Sequence, residues 1–394
     1  MDEIWGALQK NHRTHIIAGI ENGASPKSTN SLIVSGTKNG NKPPKLIIYG
    51  NKMYHHSNKK RGKFTIYGNC QIYALLQTLL EYKDFKENFD YIPLKAVQDL
   101  RLADVGYVVK AIEKSDLIIY QHVSKYYGIR ALSTARILSH AKINSIPISF
   151  PSLYFDGYFP HLAMLPGRKS VLLDTVHDYV IMYGYLMGLE QQEIIEVIQS
   201  EDFYSEELSN RLLKKSINDL IKREESNNVD IKISDYIKKN YRFQKLFNHF
   251  NHPRRPIFEY ITFQILDILG MAKNKYLHYD GQEGYLDAMS TPIYRSTYNN
   301  LALMFPEDFS TYNTTKGLVK MPEVVSDYYS TYDTMDKTFM MNKVLANKPF
   351  IIQRFNEIMP EKARRYFVSS KKEKFYSKLR LGIRGIKKVV TRKL

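Results

Sequence analysis

Strand-like and helix-like segments alternate along residues 63–150, and this alternation restricts the fold more than any other feature of the chain. Short runs of β-branched and aromatic residues indicate strands, and longer segments with apolar residues three or four apart indicate helices. The predicted strands are 63–67, 91–94, 116–123 and 143–150, and the predicted helices are 71–82, 102–113 and 129–141. Such alternation predicts an α/β fold, with a parallel sheet as its core and helices covering the sheet. In sheets of this kind, ligands bind at the carboxyl ends of the strands.

The α/β core, placed at 63–272, is flanked by three further units. Its second half is mostly helical, with predicted helices near 174–199, 203–225, 231–247 and 256–272. Residues 273–370 form a Tyr-rich loop and helical region, and the weak periodicity of 275–335 predicts loops or a lid. Residues 1–62, rich in Gly, Asn and Lys, predict a basic N-terminal extension or a small β-meander. Residues 371–394 alternate basic and apolar side chains and predict a basic amphipathic tail.

The net charge of +17 is concentrated at the two ends of the chain. Residues 1–63 hold eleven Lys and Arg against three Asp and Glu, and residues 371–394 hold ten against one, so the remaining residues sum to zero. A nucleic-acid enzyme usually carries its basic patch on the folded body, so a nucleic-acid partner is not expected. A helical tail would bind an anionic membrane surface. Gly382 and Gly385 oppose that helix and favour a solvated, flexible tail instead.

The chain has one cysteine, which excludes an internal disulfide and any multi-cysteine metal site. This composition fits a reducing compartment. The first residues include acids and form no apolar signal segment. The longest apolar stretch, 171–190, is interrupted by Asp174, His177 and Asp178, which argues against a membrane span. We therefore expect a cytoplasmic protein whose tail contacts at most the inner face of the cytoplasmic membrane.

The single cysteine, Cys70, lies at the predicted turn from the first strand into the first helix. A helix N-terminus favours a thiolate, so this position predicts a lowered thiol pKa. Gly68 would permit a tight turn, and Asn69 and Gln71 would place amides beside the sulfur, where they could hold a carbonyl oxygen or an oxyanion. Free cysteine also packs often as a small buried hydrophobe. The flanking amides favour the functional interpretation.

Two histidines are candidates for acid–base chemistry beside that thiol. His122 lies at the predicted carboxyl end of the third strand, on the same edge as Cys70. It could act as general base for a hydroxyl or as partner of a thiolate, or it could simply end the strand through a backbone hydrogen bond. His252 lies in an Asn-His-Pro sequence, which is also an ordinary way to begin a helix. His249 and His252 have no acid or Cys beside them, so no metal is expected.

The segment after the fourth predicted strand is aromatic and contains Tyr154, Asp156 and Tyr158. Aromatic rings beside a carboxylate suit stacking on a sugar or an adenine ring, with Asp156 accepting a hydroxyl hydrogen. The alternative is an aromatic loop that closes the hydrophobic core. We treat these three residues as candidates for substrate binding.

Together these motifs resemble the WcbI-type capsular polysaccharide biosynthesis family. The similarity covers roughly Lys63 to Ala272 and depends on Gly-Asn-Cys-Gln after a strand, Gln-His at the next strand end and the late Asn-His-Pro. The resemblance implies a coenzyme A-dependent acetyltransferase, with acetyl-CoA as acyl donor and a sugar or polysaccharide as acceptor. It implies catalytic roles for Cys70, His122 and His252. The cofactor-binding positions that it implies are Gly68, Asn69, Gln71, Gln121 and Asn251.

The expected function is O-acetylation of a cell-surface, capsular polysaccharide or of its sugar precursor. In one mechanism the Cys70 thiolate accepts the acetyl group, and a histidine then deprotonates the sugar hydroxyl. In the other, Cys70 only shapes the pocket and the hydroxyl attacks the bound thioester directly. Two other functions stay open. One is an esterase or thioesterase-type hydrolase that uses the same Cys-His site, and the other is a non-catalytic binding or assembly protein whose basic ends give salt-dependent binding.

Overall fold

The computed structural model of the chain describes residues 61–126, 128–275 and 286–362. The predicted tail at 371–394 and nearly all of the predicted N-terminal extension at 1–62 lie outside the described residues. Both therefore stay predictions. None of the helices in the described ranges combines the length and the apolarity needed to cross a membrane.

A parallel four-stranded sheet forms the first half of the fold, as the alternation predicts. Its strands are β1 Gly62–Tyr67, β2 Phe89–Tyr91, β3 Leu117–Gln121 and β4 Ile146–Phe150, in the spatial order β2-β1-β3-β4. The connecting helices are α1 Gln71–Leu79, α2 Lys83–Asn88, α3 Val105–Lys114 and α4 Thr134–Leu138. In β1, Phe64 and Ile66 pack into the larger hydrophobic core, whereas Tyr67 packs into a second core across the sheet. The two-residue period of a strand thus buries both faces, and the predicted α/β class is confirmed.

The strand order places a topological switch point between β1 and β3. From β1 the chain runs outward to β2 at the sheet edge, and it then returns to place β3 on the opposite side of β1. The connections that leave β1 and β3 therefore diverge, and a crevice opens between them at the carboxyl edge. Ligands of open α/β sheets bind in such crevices.

Several predicted boundaries differ from the structure because caps and turns interrupt the apolar pattern. The predicted helix at 129–141 is a 3₁₀ turn, Arg130–Leu132, followed by the short α4. The predicted helix at 174–199 contains a strand, β6 Val176–Asp178, which pairs with β5 Leu162–Met164. It then forms α5 Tyr179–Leu186 and α6 Gln191–Gln199, separated at Gly188, where φ is +74°. Only glycine adopts that conformation readily, so the helix ends there.

The second half of the fold is mostly helical, as predicted, and it shares one hydrophobic core with the sheet. Its long helices are α7 Glu206–Asn227 and α9 Arg255–Leu269, with the shorter α8 Ser234–Asn240 between them. The strands β7 Phe247–His249 and β8 His252–Pro253 form a small antiparallel pair directly before α9. The core continues from Phe64 of β1 to Phe355 near the end of the described chain.

The described part of 275–335 contains more regular structure than the predicted loops or lid, while residues 276–285 lie outside the described residues. The structure shows α10 Arg295–Asn300, a hairpin of β9 Thr311–Thr314 and β10 Gly317–Lys320, and α11 Met321–Asp333. Two further helices follow, α12 Lys337–Asn347 and α13 Pro349–Ile358. Tyr328 and Tyr332 lie one helical turn apart on α11 and are fully buried. Their hydroxyls donate to the carbonyls of Val176 and Asp178, so these tyrosines belong to the core.

Candidate active site at the carboxyl edge of the sheet

A network of buried side-chain amides holds the turn between β1 and α1. The backbone N–H of Asn69 donates to Oε1 of Gln121 at 3.0 Å, and Nε2 of Gln121 donates to Oε1 of Gln71 at 2.7 Å. Nε2 of Gln71 donates to the carbonyls of Leu153 and Asn251 at 2.8 and 2.9 Å. This network ties together the turn after β1, the end of β3, the segment after β4 and the β7–β8 turn.

The same network limits what Gln71 and Gln121 can do for a ligand. Gln71 is 1% exposed and Gln121 is 2% exposed, and both side-chain amides are already bonded within the protein. The predicted placement of the Gln71 amide beside the sulfur, ready to bind an oxyanion, is therefore not supported. We assign both glutamines to positioning the turn. Gly68 belongs to the same arrangement, because a Cβ at this position would lie 2.6 Å from Oε1 of Gln121.

Asn69 and Ser152 join the turn to the segment that follows β4. The side-chain Oδ1 of Asn69 accepts the backbone N–H of Gln71, and its Nδ2 donates to Oγ of Ser152 at 3.1 Å. The segment after the fourth strand therefore contributes a side chain to this edge of the sheet. Ser149, within the fourth strand, does not, because its hydroxyl pairs with Asp230.

Cys70 occupies the N-cap position of α1 and is half-buried. The backbone N–H groups of Cys70 and Gln71 and the side chain of Gln98 face the sulfur, and each favours the thiolate. Burial outweighs them, with a smaller contribution from the charge of Asp99, and it raises the pKa of the Cys70 thiol above its ordinary value. The predicted lowering of this pKa by the helix terminus is therefore wrong, because desolvation by tertiary packing is the larger effect.

The two candidate histidines make no hydrogen bond or ion pair to the Cys70 thiol within the described residues. His122 is exposed directly after β3, and no hydrogen bond or ion pair among the described residues joins it to Cys70. His252 follows Asn251, whose backbone carbonyl accepts from Gln71. Its ring lies against the ring of His249 at 3.8 Å between centroids. Burial lowers the pKa of His252 to about 4, so its imidazole is neutral at pH 7.

Asn251, one of the predicted cofactor-binding residues, has a buried side-chain oxygen without a hydrogen-bond partner among the described residues. Its side chain is 8% exposed, and its Oδ1 has no hydrogen-bond partner among the described residues. The hydroxyl of Tyr154 lies beside this amide, and the charge of a Cys70 thiolate would act on the same hydroxyl. Tyr154 and Asn251 therefore connect the thiol with the neighbouring cavity. As for metals, no group of three or more His, Cys, Asp or Glu side chains within the described ranges is arranged to hold an ion.

A cavity of about 310 Å³ opens beside this turn. Tyr154 and Asp156 line it, as their predicted role in substrate binding requires. Its other lining residues are Phe155, Leu162, Ala163, Met164, Ser216, Asp219, Arg223, Phe250 and Lys348. Tyr158 is not among them. It is fully buried and its hydroxyl donates to the carbonyl of Tyr241 at 2.5 Å, so its predicted contact with substrate is wrong.

The residues that sequence reasoning missed reach the site from distant elements. Gln98 follows β2, Arg223 lies on α7, and Lys348 lies between α12 and α13. Arg223 and Lys348 look like ordinary members of charged helical segments, and no local motif distinguishes them. Gln98 precedes Asp99 in a 3₁₀ turn, Val97–Asp99, that the strand and helix periodicities do not reveal.

The fold and the site define an α/β protein with a thiol-bearing crevice at the switch point of its sheet and a ligand-sized cavity beside it. The family model described as polysaccharide biosynthesis enzyme WcbI matches residues 63–274, which is more than half of the chain. The chain therefore belongs to the WcbI family of polysaccharide biosynthesis enzymes, and the resemblance noted from its motifs is confirmed.

One solved structure and the curated proteins complete the comparison. The solved structure is WcbI, described as a novel polysaccharide biosynthesis enzyme, in its native form without a disulfide bond between coenzyme A and one of its cysteines. It is 17% identical, with a TM-score of 0.66, and the match covers 75% of this chain and 99% of that one. At this identity the similarity shows the fold alone. No curated protein matches this chain.

Proposed function

We propose that this chain is a coenzyme A-dependent O-acetyltransferase that moves an acetyl group from acetyl-CoA to a sugar hydroxyl of a cell-surface polysaccharide or its precursor. The observation that carries the proposal is the position of Cys70, the sole cysteine, at the switch-point crevice and next to a cavity that an aromatic ring and a carboxylate line. The similar WcbI structure is of a native form without a disulfide bond between coenzyme A and a cysteine, which supports coenzyme A as the ligand on the thiol side.

The residues around Cys70 fit the thioester end of such a donor. The backbone N–H groups of residues 70 and 71 face the sulfur, and Oδ1 of Asn251 is a buried acceptor without a partner. A buried acceptor without a partner costs about 1–3 kcal/mol, so an N–H or O–H of a bound molecule at this position would be favourable. Acetyl-CoA supplies an acetyl group that is activated as a thioester.

We propose direct attack by the sugar hydroxyl on the carbonyl carbon of the thioester. The ester C–O bond forms, the thioester C–S bond breaks, and coenzyme A leaves as its thiol with the proton that the base has taken from the hydroxyl. Burial keeps the Cys70 thiol protonated, and no described contact pairs it with a histidine that could remove its proton. A thiol in that state is a poor nucleophile, because the thiolate is the reactive form. Cys70 then shapes the donor end of the pocket, while Tyr154 and Asp156 orient the acceptor. His122, exposed at the carboxyl end of β3, is the proposed base that takes the hydroxyl proton.

A protection experiment tests the placement of the donor. Because Cys70 is the sole cysteine, iodoacetamide can alkylate the full chain at one thiol, and the Cys70→Ala variant is a clean control for the reagent. We expect acetyl-CoA and coenzyme A to slow the alkylation with saturable concentration dependence, and prior alkylation to abolish calorimetric binding of both. Binding that alkylation leaves intact, or alkylation that neither ligand slows, would refute this location of the donor.

Intact-mass measurement of the same samples separates the two mechanisms. We expect no acetyl adduct on the wild type after incubation with acetyl-CoA, because the hydroxyl attacks the donor directly. A stable adduct that disappears in Cys70→Ala would establish the covalent route instead. Release of free acetate at the same rate with and without a sugar acceptor would identify a hydrolase.

A further inference from the structure

The cavity beside Cys70 contains positive charge that the catalytic proposal does not use. Arg223 projects from α7, and Lys348 reaches the same space from the junction of α12 and α13. Lys348 lies outside residues 63–274, the part of the chain that the WcbI family model matches. The helical C-terminal region therefore contributes a side chain to the cavity.

Arg223 is the cation without an ion-pair partner in this cavity. Its Nη2 donates to the backbone carbonyl of Tyr154 at 2.6 Å, whereas its Nε is buried and has no hydrogen-bond partner among the described residues. No carboxylate in the described ranges lies within 4.0 Å of the guanidinium. A guanidinium that is partly removed from water is unfavourable unless an anion or several acceptors compensate it.

The other charges of the cavity are already paired. Lys348 is 8% exposed, and its Nζ donates to Oδ2 of Asp156 at 3.3 Å. Asp219 pairs with Lys215, which precedes it by one turn of α7. The lining therefore holds two carboxylates and two cations. Arg223 is the one of the four without an ion-pair partner within 4.0 Å, although the charges of Asp219 and Asp156 act on it.

Much of the remaining lining of the cavity is apolar and aromatic. The Tyr154 ring packs on the Phe250 ring with 6.1 Å between centroids, and Met164 extends this surface. Aromatic rings and hydroxyl-accepting groups in the same cavity suit a sugar ring. A volume of about 310 Å³ lies at the lower end of the range for small-molecule pockets and suits one sugar unit.

We propose that this cavity binds the acceptor sugar and that this sugar carries one anionic group, a carboxylate or a phosphate ester, which pairs with Arg223. The inference rests on the proposed function, because it assigns the cavity to the acceptor. Asp156 and Asp219 leave the lining without net positive charge, which opposes a ligand with several negative charges such as the nucleotide end of coenzyme A. A single anionic group matches the one guanidinium that lacks an ion pair, and hydroxyls of the sugar would donate to Asp156.

Calorimetric titration of the full chain with D-glucuronate, D-glucose 6-phosphate and D-glucose tests the proposal. The test variant is Arg223→Gln, and the matched control is Lys222→Gln, which removes the same charge from an exposed neighbour on the same helix. We expect an acidic sugar to bind more tightly than glucose. Arg223→Gln should weaken the binding of the acidic sugar by about tenfold or more, because a charged hydrogen bond is lost, and should leave the binding of glucose unchanged. Lys222→Gln should bind like the wild type.

Each of the other possible outcomes either supports or contradicts an anionic acceptor in this cavity. Binding of glucuronate alone, or of glucose 6-phosphate alone, identifies the anion and supports the proposal. Equal binding of glucose and both acidic sugars, binding of neither acidic sugar, or no effect of Arg223→Gln would overturn it. If Arg223→Gln weakens the binding of coenzyme A and leaves the binding of the acidic sugars unchanged, the cavity binds the donor and the proposal is wrong.

A second variant keeps the test valid if Arg223→Gln does not fold. Asp219→Asn keeps Arg223 in place but removes a carboxylate that acts on it and leaves Lys215 unpaired, so binding of the acidic sugar should tighten several-fold relative to binding of glucose. An unchanged ratio of the two affinities would contradict the proposal. The alkylation experiment on Cys70 reports on the donor separately. Acidic-sugar binding that depends on Arg223, together with no protection of Cys70 by acetyl-CoA, would refute the proposed function while leaving the anion site in place.

Discussion

Replacing Gly68 by Ala should destabilise the protein through one displaced side chain, Gln121. The new Cβ would lie 2.6 Å from Oε1 and 3.1 Å from Cβ of Gln121, so the glutamine must leave its position. Gly68 is not among the described residues with positive φ, so the backbone itself tolerates alanine. The cost is then the loss of the bonds that Gln121 makes to the N–H of Asn69 and to Oε1 of Gln71.

The magnitude follows from these two hydrogen bonds. Losing the bond to Gln71 costs about 1 kcal/mol, because Oε1 of Gln71 keeps the N–H of Leu153, and leaving the N–H of Asn69 without its acceptor costs about 1–3 kcal/mol. Alanine recovers roughly 0.5 kcal/mol by restricting the unfolded chain. We therefore expect Gly68→Ala to lower the free energy of unfolding by about 1.5–3.5 kcal/mol. Urea denaturation with an unchanged slope would measure it.

Two comparisons make this prediction sharp. Gly106→Ala places the same methyl group in α3, where no atom lies within 4 Å, and it should be neutral or stabilising by up to about 1 kcal/mol. In a Gln121→Ala background, Gly68→Ala should cost much less than in the wild type, because the displaced amide is already gone. Additive costs in that cycle, or a Gly68→Ala protein within about 0.5 kcal/mol of the Gly106→Ala protein, would refute the reasoning.

Three further outcomes follow from the site. Because burial raises the pKa of the Cys70 thiol, the iodoacetamide reaction should reach half its maximal rate at a higher pH than for a free cysteine in a peptide; a midpoint below that of the peptide would mean that the helix terminus dominates after all. Burial lowers the pKa of His252 from 6.5 to about 4. Between these two values the unfolded chain binds a proton at this histidine and the folded chain does not. The free energy of unfolding therefore falls by up to about 3 kcal/mol as the pH drops through that window. Burial raises the pKa of Asp178 to about 6, and this carboxyl therefore changes stability with pH in the opposite sense. The measurement that isolates His252 is the difference in unfolding free energy between wild type and His252→Gln from pH 4 to 7. A difference that does not change with pH would contradict the assignment. Tyr158→Phe should cost about 1–2 kcal/mol of stability by leaving the Tyr241 carbonyl without its donor, with no change in sugar binding or in protection of Cys70; weaker sugar binding would restore Tyr158 to the substrate site.

The sheet and its order of elements were predictable because their signals are local. Each strand and helix carries its own apolar period, and short connections force neighbouring elements to pack in sequence. The turn at Gly68–Cys70 was predictable for the same reason, since it lies between a strand and a helix that are adjacent in the chain. The elements between residues 286 and 335 were harder to predict, because α10, β9 and α11 contain many tyrosines, which occur both in cores and at surfaces.

The sequence by itself therefore determined the α/β architecture, the family and the location of the single thiol at the carboxyl edge of the sheet. Only the tertiary structure decided how the side chains there are used. Packing against the hydrophobic core buries Cys70 and raises the pKa of its thiol, and the bonds of Gln71 to carbonyls 82 and 180 residues away occupy its amide. The ion pair between Lys348 and Asp156 spans 192 residues. Burial, charge pairing and hydrogen-bond satisfaction depend on groups that are distant along the chain, and no local pattern encodes them.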